Sequence, residues 1–242
     1  MAGHSKFANI KHRKGAQDKA RGKAFGKFSK AIMIAAREGG GDPDTNLALR
    51  YAIDKARAGN MPKDVIERAI KKATGELGDV QYEEIMYEGY GPAGVAVMCE
   101  ILTDNRNRTA PEMRRIFSVS GGNLAAPGAV TFMFDRRGMI AVEGATFDEV
   151  FEVAVENGAD DVTQEDDDMI GVMTDPSAFQ DVSKALRAKG WELTTAEIAW
   201  LPQNTVTPPA DVVAKVETLL EKLEDHDDVQ SVYHNYEPAT EE

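Results

Sequence analysis

The amino-acid sequence changes its hydrophobic period near residue 75, and that change restricts the folds open to it. Before Gly75, apolar residues recur three and four positions apart, as they do in amphipathic helices. After Asp79, short apolar runs typical of strands alternate with helical patterns. The 242 residues therefore predict a small helical domain followed by a longer α/β part.

The N-terminal part predicts three short helices. The first has Phe25, Phe28 and Ile32 on one side at helical spacing, with lysines on the opposite side. Glycines and a proline in 39–43 end it, and Pro62 lies near the first position of the third helix. The predicted helices run from Gln17 to Glu38, from a cap at Asp44 or Thr45 to about Ala58, and from Pro62 onward.

The remainder predicts two β-α-β-β-α-β series, one continuous and one formed by the segments on either side of it. We predict an α+β fold: an N-terminal three-helix domain followed by two ferredoxin-like α/β domains, the second inserted into the first. The predicted domains are 1–77, 78–136 with 203–242, and 137–202. The outer series has predicted strands at 94–102, 129–134, 203–206 and 229–235 and helices at 111–119 and 210–224. The inner series has predicted strands at 139–142, 161–165, 169–174 and 192–200 and helices at 147–156 and 178–188.

The formal charge is distributed unevenly along the chain. Residues 1–75 contain 17 Lys/Arg and 7 Asp/Glu, a net charge of +10, whereas residues 76–242 contain 11 and 34, a net charge of −23. A cationic segment joined to an anionic body indicates a contact with nucleic-acid phosphate through the cationic part. The charge pattern does not distinguish DNA from RNA, and the acidic part is expected to limit indiscriminate binding.

Two groups of residues are predicted to bind the nucleic acid. The first is a basic arm continued by the lysine row of the first helix, and the second is the loop Thr103–Thr109 after a central strand. Lysine and arginine neutralise phosphates, and arginine presents a planar fork of donors. The simpler alternatives are a solvated helix face and a loop in which Thr109 caps a helix beginning near Pro111. The predicted nucleic-acid-binding residues are Lys6, Lys11, His12, Arg13, Lys14, Lys19, Arg21, Lys23, Lys27, Lys30, Arg106 and Arg108.

Sequence patterns for catalysis and for metal binding are absent. The chain has no nucleophile elbow, P-loop, HExxH or Rossmann glycine pattern. Cys99 is the single cysteine, which rules out a disulfide framework, and we predict that it packs in the core. His4 and His12 lack companion ligands, so neither a metal nor a cofactor is predicted. No apolar run reaches the roughly 18 residues of a membrane span, and a cytoplasmic location is expected.

Several short motifs occur in one order along the chain. They are Met1–Lys6, Ile10–Lys14, Gly39–Pro43, Asn46–Arg50, Asn60–Pro62, Tyr87–Pro92 and Asp104–Thr109. With this series the chain resembles the YebC/PmpR family over essentially its whole length. The resemblance implies a helical domain, two α/β domains with one inserted into the other, and a non-enzymatic role in gene expression. It further implies either a DNA-binding transcriptional regulator or a factor that binds ribosomal RNA on the ribosome and relieves stalled translation.

The leading hypothesis is a cytoplasmic, non-enzymatic, nucleic-acid-binding regulator, a monomer or weak dimer that contacts no membrane. A lysine-rich arm suits structured RNA at least as well as duplex DNA, so transcription and translation both stay open. One alternative from another class is a small-molecule sensor or a protein-interaction module whose acidic part docks a basic partner. Another is a metal-dependent nuclease that uses Asp166 and Asp168.

Overall fold

The computed structural model describes residues 21–74, 82–166 and 169–239. They form an α+β fold of three N-terminal helices and two four-stranded antiparallel sheets, which confirms the predicted fold class. The described helices are α1 (Arg21–Gly39), α2 (Leu47–Ala58), α3 (Lys63–Thr74), α4 (Arg106–Val119), α5 (Phe147–Glu156), α6 (Phe179–Ala188) and α7 (Ala210–Glu224). The described strands are β1 (Glu83–Tyr90), β2 (Ala96–Thr103), β3 (Asn123–Leu124), β4 (Phe134–Glu143), β5 (Ala159–Asp166), β6 (Met169–Thr174), β7 (Glu192–Pro202) and β8 (Val229–His234).

The three N-terminal helices pack around a core of their own. Its fully buried members include Ile32 of α1, Leu49 of α2 and Ile66 of α3, and Phe28 lies beside them. Helix α2 begins at Asn46, whose Oδ1 accepts the Leu49 N–H at 3.1 Å. The N-cap is therefore Asn46 and not Asp44 or Thr45 as predicted.

The first sheet has the order β3-β1-β2-β8. Alternate residues of β2, among them Val97, Cys99 and Ile101, contact apolar residues of α4 and α7, so both helices cover one face of the sheet. Cys99 is buried in this core, as predicted, and burial raises the pKa of its thiol. The thiol is therefore a packing group.

Two of the strands predicted for this sheet are wrong, and an observed central strand was not predicted. Strand β1 was not predicted; it pairs with β2 through a hairpin and occupies the central position that a third ferredoxin-like strand would fill. The strand predicted at 203–206 is wrong, because this segment contributes only an isolated bridge from Val206 to Tyr236. The strand predicted at 129–134 is largely a 3-10 turn, Thr131–Met133. Strand β1, from earlier in the chain, occupies the sheet position beside β2 that was assigned to 203–206, so this segment adds no strand there.

The second sheet has the order β5-β6-β4-β7, with β-α-β-β-α-β connectivity along the chain. This is the ferredoxin-like arrangement predicted for the inner series. The predicted bounds of α5 and β6 agree with the structure at both ends. Val150, Val153 and Ala154 of α5, together with Phe179, Val182 and Leu186 of α6, are buried.

The described residues divide into two compact units. Residues 135–201 form one unit, and 21–134 with 202–239 form the other, so the helical bundle and the first sheet belong to the same unit. Within the described residues, no helix is long and apolar enough to cross a membrane.

Candidate nucleic-acid interface

The lysine row of α1 meets the turn between α7 and β8. Lys30 Nζ donates to the carbonyl oxygen of Asp227 at 3.2 Å and to Asp228 Oδ1 at 2.8 Å. Lys27, one helical turn earlier, donates to the carbonyl oxygen of Glu224 at the end of α7. These two predicted phosphate ligands therefore have acceptors within the protein itself.

The loop after β2 is shorter than predicted, because α4 begins at Arg106 and contains Pro111 within it. Asn105 is the N-cap, and its Oδ1 accepts the Arg108 N–H at 3.1 Å. The prediction that Thr109 caps a helix beginning near Pro111 is wrong. Pro111 is the sixth residue of α4 and has no N–H to donate to the Asn107 carbonyl, so one intrahelical hydrogen bond is missing there.

Asp228 joins this helix start to α1. Its Oδ2 accepts from Arg108 Nη2 at 2.9 Å and lies 2.8 Å from Thr109 Oγ1 and 3.1 Å from Thr103 Oγ1. Its Oδ1 accepts from Lys30. We call these five residues the Asp228 cluster: Lys30, Thr103, Arg108, Thr109 and Asp228.

The Asp228 carboxylate is almost completely buried, with 2% of its side chain exposed. Burial alone would raise its pKa, but the hydrogen bonds from Lys30, Arg108 and Thr109 outweigh burial and hold the pKa well below its ordinary value. Lys30 and Arg108 keep 23% and 46% of their side chains exposed. The cluster therefore holds a desolvated anion between two cations that still reach solvent.

A second buried carboxylate lies in the same unit, on β1. Glu88 is 4% exposed, and its oxygens accept the backbone N–H groups of Gly128, Val130 and Thr131 at 2.6, 2.8 and 2.9 Å. Burial alone would raise the pKa of Glu88, but these hydrogen bonds outweigh it and hold the pKa below its ordinary value. Glu88 thus fixes the loop between β3 and β4.

The predicted site residues fall into three groups. Arg106 is exposed at the start of α4, two positions from Arg108, which bridges Asp104 and Asp228. Lys27, Lys30 and Arg108 all contact the α7–β8 turn, so the structure brings part of the lysine row and the second predicted group together. The side chains of Arg21 and Lys23 lie outside the described part of the molecule, as do the residues Lys6, Lys11, His12, Arg13, Lys14 and Lys19.

Sequence reasoning did not single out four exposed cations of the helical bundle. Lys55 and Arg57 lie in the last turn of α2, and Lys71 and Lys72 lie in the last turn of α3. Within the described residues, none of the four forms an ion pair, whereas Lys63, Arg68 and Arg50 each do. The sequence places these four cations in the last turns of two predicted helices, where the unpaired carbonyl groups and water are their neighbours.

Asp228 was also missed, although it directly precedes the apolar strand β8. An acidic residue at a strand start is ordinarily exposed, and only the fold brings Lys30 and Arg108 to it. No group of three or more metal-ligating side chains occurs among the described residues.

Comparisons with known proteins cover both parts of the chain. Residues 5–76 match the family model described as the TACO1/YebC protein N-terminal domain, and residues 82–236 match that of the TACO1/YebC second and third domain. A probable transcriptional regulatory protein of Treponema denticola is 54% identical over 98% of this chain and 96% of its own length. A probable transcriptional regulatory protein of Geobacter sulfurreducens is 51% identical over 100% of this chain and 98% of its own.

A solved structure shares the fold. The crystal structure of a conserved hypothetical protein from Aquifex aeolicus superimposes with a TM-score of 0.80 at 43% identity, covering 93% of each chain. Both parts of the chain match the family models, and the identity to the two bacterial relatives extends over nearly the whole length. The chain therefore belongs to the TACO1/YebC family.

Proposed function

We propose that the chain is a non-enzymatic regulator of gene expression that binds nucleic acid through its N-terminal helical region. The observation that carries the proposal is the set of exposed cations on α2 and α3 that lack ion-pair partners within the described residues: Lys55, Arg57, Lys71 and Lys72. The names of the relatives, probable transcriptional regulatory proteins, support a regulatory role.

The local charge of the helical region supports a phosphate contact. Residues 21–74 contain 12 Lys/Arg and 6 Asp/Glu, a net charge of +6, in a chain whose total is −13. Phosphate neutralisation with release of counterions provides affinity without sequence readout. Cations in the last turn of a helix also interact favourably with the helix dipole, so the test must separate binding from stability.

The Asp228 cluster assigns different roles to the predicted cations. Lys30 and Arg108 already neutralise a buried carboxylate, and moving either to a phosphate would leave Asp228 with fewer donors. Arg106 makes no ion pair within the described residues and stays part of the proposed contact. The arm residues from Lys6 to Lys19 and the row members Arg21 and Lys23 remain in the proposal on sequence grounds.

Duplex DNA is the proposed ligand, in line with the names of the relatives; ribosomal RNA, with a role in translation, is the competing outcome. The proposed location is the cytoplasm. The division into domains at 1–77, 78–136 with 203–242, and 137–202 stays a prediction, with the first as the proposed binding domain.

The experiment is fluorescence anisotropy of the full chain with a labelled DNA duplex and with a structured ribosomal RNA fragment, titrated at several salt concentrations. Reversing the α3 pair with Lys71→Glu and Lys72→Glu should weaken binding by about tenfold or more at 50 mM salt and lower the salt slope by about 2. Tighter binding to the duplex supports the transcriptional role, and RNA binding that outlasts DNA binding as salt rises supports the translational one.

The matched control reverses two exposed lysines of the other unit, Lys184→Glu and Lys189→Glu, which changes the net charge equally. It should leave the salt slope unchanged. Equal weakening by both double variants would contradict the assignment of binding to the helical region. Circular dichroism of each variant verifies that the helices remain folded.

A further inference from the structure

Helix α5 of the 135–201 unit exposes a row of apolar side chains. Phe147, Phe151 and Val155 follow one another at intervals of four residues, with Phe151 and Val155 at 47% and 46% exposed. The rings of Phe147 and Phe151 stack with centroids 5.8 Å apart. Large apolar side chains that are half exposed and adjacent on one helix are typical of an interaction surface.

A row of carboxylates runs beside the apolar row. Asp148, Glu152 and Glu156 each follow one residue after an apolar member, so the pair of apolar and acidic residues repeats along the whole helix. At 100° per residue the acidic row lies next to the apolar row, on the side away from the buried Val150 and Ala154. Within the described residues, these three carboxylates form no ion pair. The outer face of α5 therefore has an apolar half and an anionic half.

The neighbouring helix α6 shows that this is not the ordinary pattern of the unit. It buries Phe179, Val182 and Leu186 and exposes charged residues, among them Asp181 and Lys184. Helix α6 thus has a single apolar face, directed to the core. Helix α5 has its buried face and, in addition, an apolar row in which Phe151 and Val155 remain about half exposed.

We infer that the outer face of α5 docks a basic amphipathic segment of a partner protein. The charge of the surface selects this occupant: residues 135–201 contain 5 Lys/Arg and 16 Asp/Glu, a net charge of −11, which repels nucleic acid. A helix with apolar residues on one side and lysine or arginine beside them would place the former on Phe151 and Val155 and the latter on Glu152 and Glu156. This inference does not depend on the proposed nucleic-acid contact.

The test uses the full chain and a fluorescein-labelled helical peptide of leucine and lysine in amphipathic order, with a second peptide in which glutamate replaces lysine. The lysine peptide should bind and the glutamate peptide should not. Removing the apolar row with Phe151→Ser and Val155→Ser, or the acidic row with Asp148→Asn, Glu152→Gln and Glu156→Gln, should weaken binding at least about tenfold. Binding unchanged in the apolar-row variant would overturn the inference.

A matched control removes three exposed carboxylates elsewhere on the same unit, with Asp161→Asn, Asp181→Asn and Glu192→Gln. It should change affinity by less than about threefold. If it weakens binding as much as the acidic-row variant does, the peptide responds only to net charge and the inference fails. It also fails if sedimentation velocity shows a dimer that Phe151→Ser and Val155→Ser dissociate, because the occupant is then a second copy. Circular dichroism melts show that each variant is folded.

Discussion

The unit formed by residues 21–134 and 202–239 contains two buried carboxylates that are held in different ways. Asp228 is held by side chains from two distant segments, Lys30 of α1 and Arg108 of α4, whereas Glu88 is held by backbone N–H groups of one loop. Both have a pKa below the ordinary value although burial alone would raise it. The donors to Glu88 are uncharged backbone N–H groups, whereas the cations around Asp228 also have affinity for phosphate. The Asp228 cluster is therefore an electrostatic junction between α1 and α4, whereas Glu88 has a purely structural role.

Removing the carboxylate of the junction should have the largest effect on stability. Asp228→Ala leaves Lys30 and Arg108 without their shared anion, at an expected cost of about 3 kcal/mol in the free energy of unfolding. Urea denaturation followed by circular dichroism measures it. The control is Asp227→Ala, which removes an exposed neighbouring carboxylate but keeps the carbonyl that accepts from Lys30. Equal stability of the two variants would show that the junction contributes nothing.

The backbone-held carboxylate should be the next most costly to change. Glu88→Gln replaces one accepting oxygen with an NH₂ group, which then faces a backbone N–H such as that of Gly128 or Val130. One buried donor is left unsatisfied, at a cost of about 2 kcal/mol in the free energy of unfolding. The control on the same strand is the exposed Glu83→Gln. A stable Glu88→Gln would mean that the loop relaxes and finds other acceptors.

The sequence predicted the second sheet better than the first, because all strands and helices of the second sheet are consecutive in the chain. Its helices and strands alternate locally, and α5 was placed correctly at both ends. In the first sheet, β1 takes a position that sequence order assigned to 203–206. Local periodicity identifies apolar runs, but it does not show which of two candidate segments pairs with β2.

The candidate site was predictable only in part, for a similar reason. The cationic character of the helical region can be counted from the sequence, and Arg106 and Arg108 were recognised in a polar loop. Whether a cation is paired depends on what the fold brings to it, and Asp228 is 198 residues from Lys30. Helical spacing placed Lys30 opposite the core of its own bundle but could not show that a second element occupies that side.

The two carboxylates should respond to acid at different pH values. A carboxylate whose pKa is lowered by folding contributes stability above its unfolded-state pKa, and that contribution is lost as the pH falls toward the folded-state pKa. With ordinary values of 4.5 for Glu88 and 3.8 for Asp228, the contribution of Glu88 should begin to fall at the higher pH. Urea midpoints between pH 6 and pH 3 for the wild type, Glu88→Gln and Asp228→Asn measure this. The difference between each variant and the wild type should begin to shrink as the pH falls through the unfolded-state pKa of its own carboxylate. Differences that begin to shrink at the same pH would contradict this order.

A change in salt concentration should have the smallest effect on stability, but it should distinguish the Asp228 cluster from Glu88 most clearly. Raising NaCl from 50 to 500 mM should reduce the stability difference between the wild type and Asp228→Ala by a few tenths of a kcal/mol, because Lys30 and Arg108 reach solvent and are partly screened. The difference for Glu88→Gln should not change, since backbone amides carry no net charge. If the Asp228 difference is also constant, the junction is shielded as fully as the Glu88 loop. Lys30 and Arg108 would then be structural cations that phosphate cannot recruit, and a nucleic-acid contact in the described region would fall to α2, α3 and Arg106.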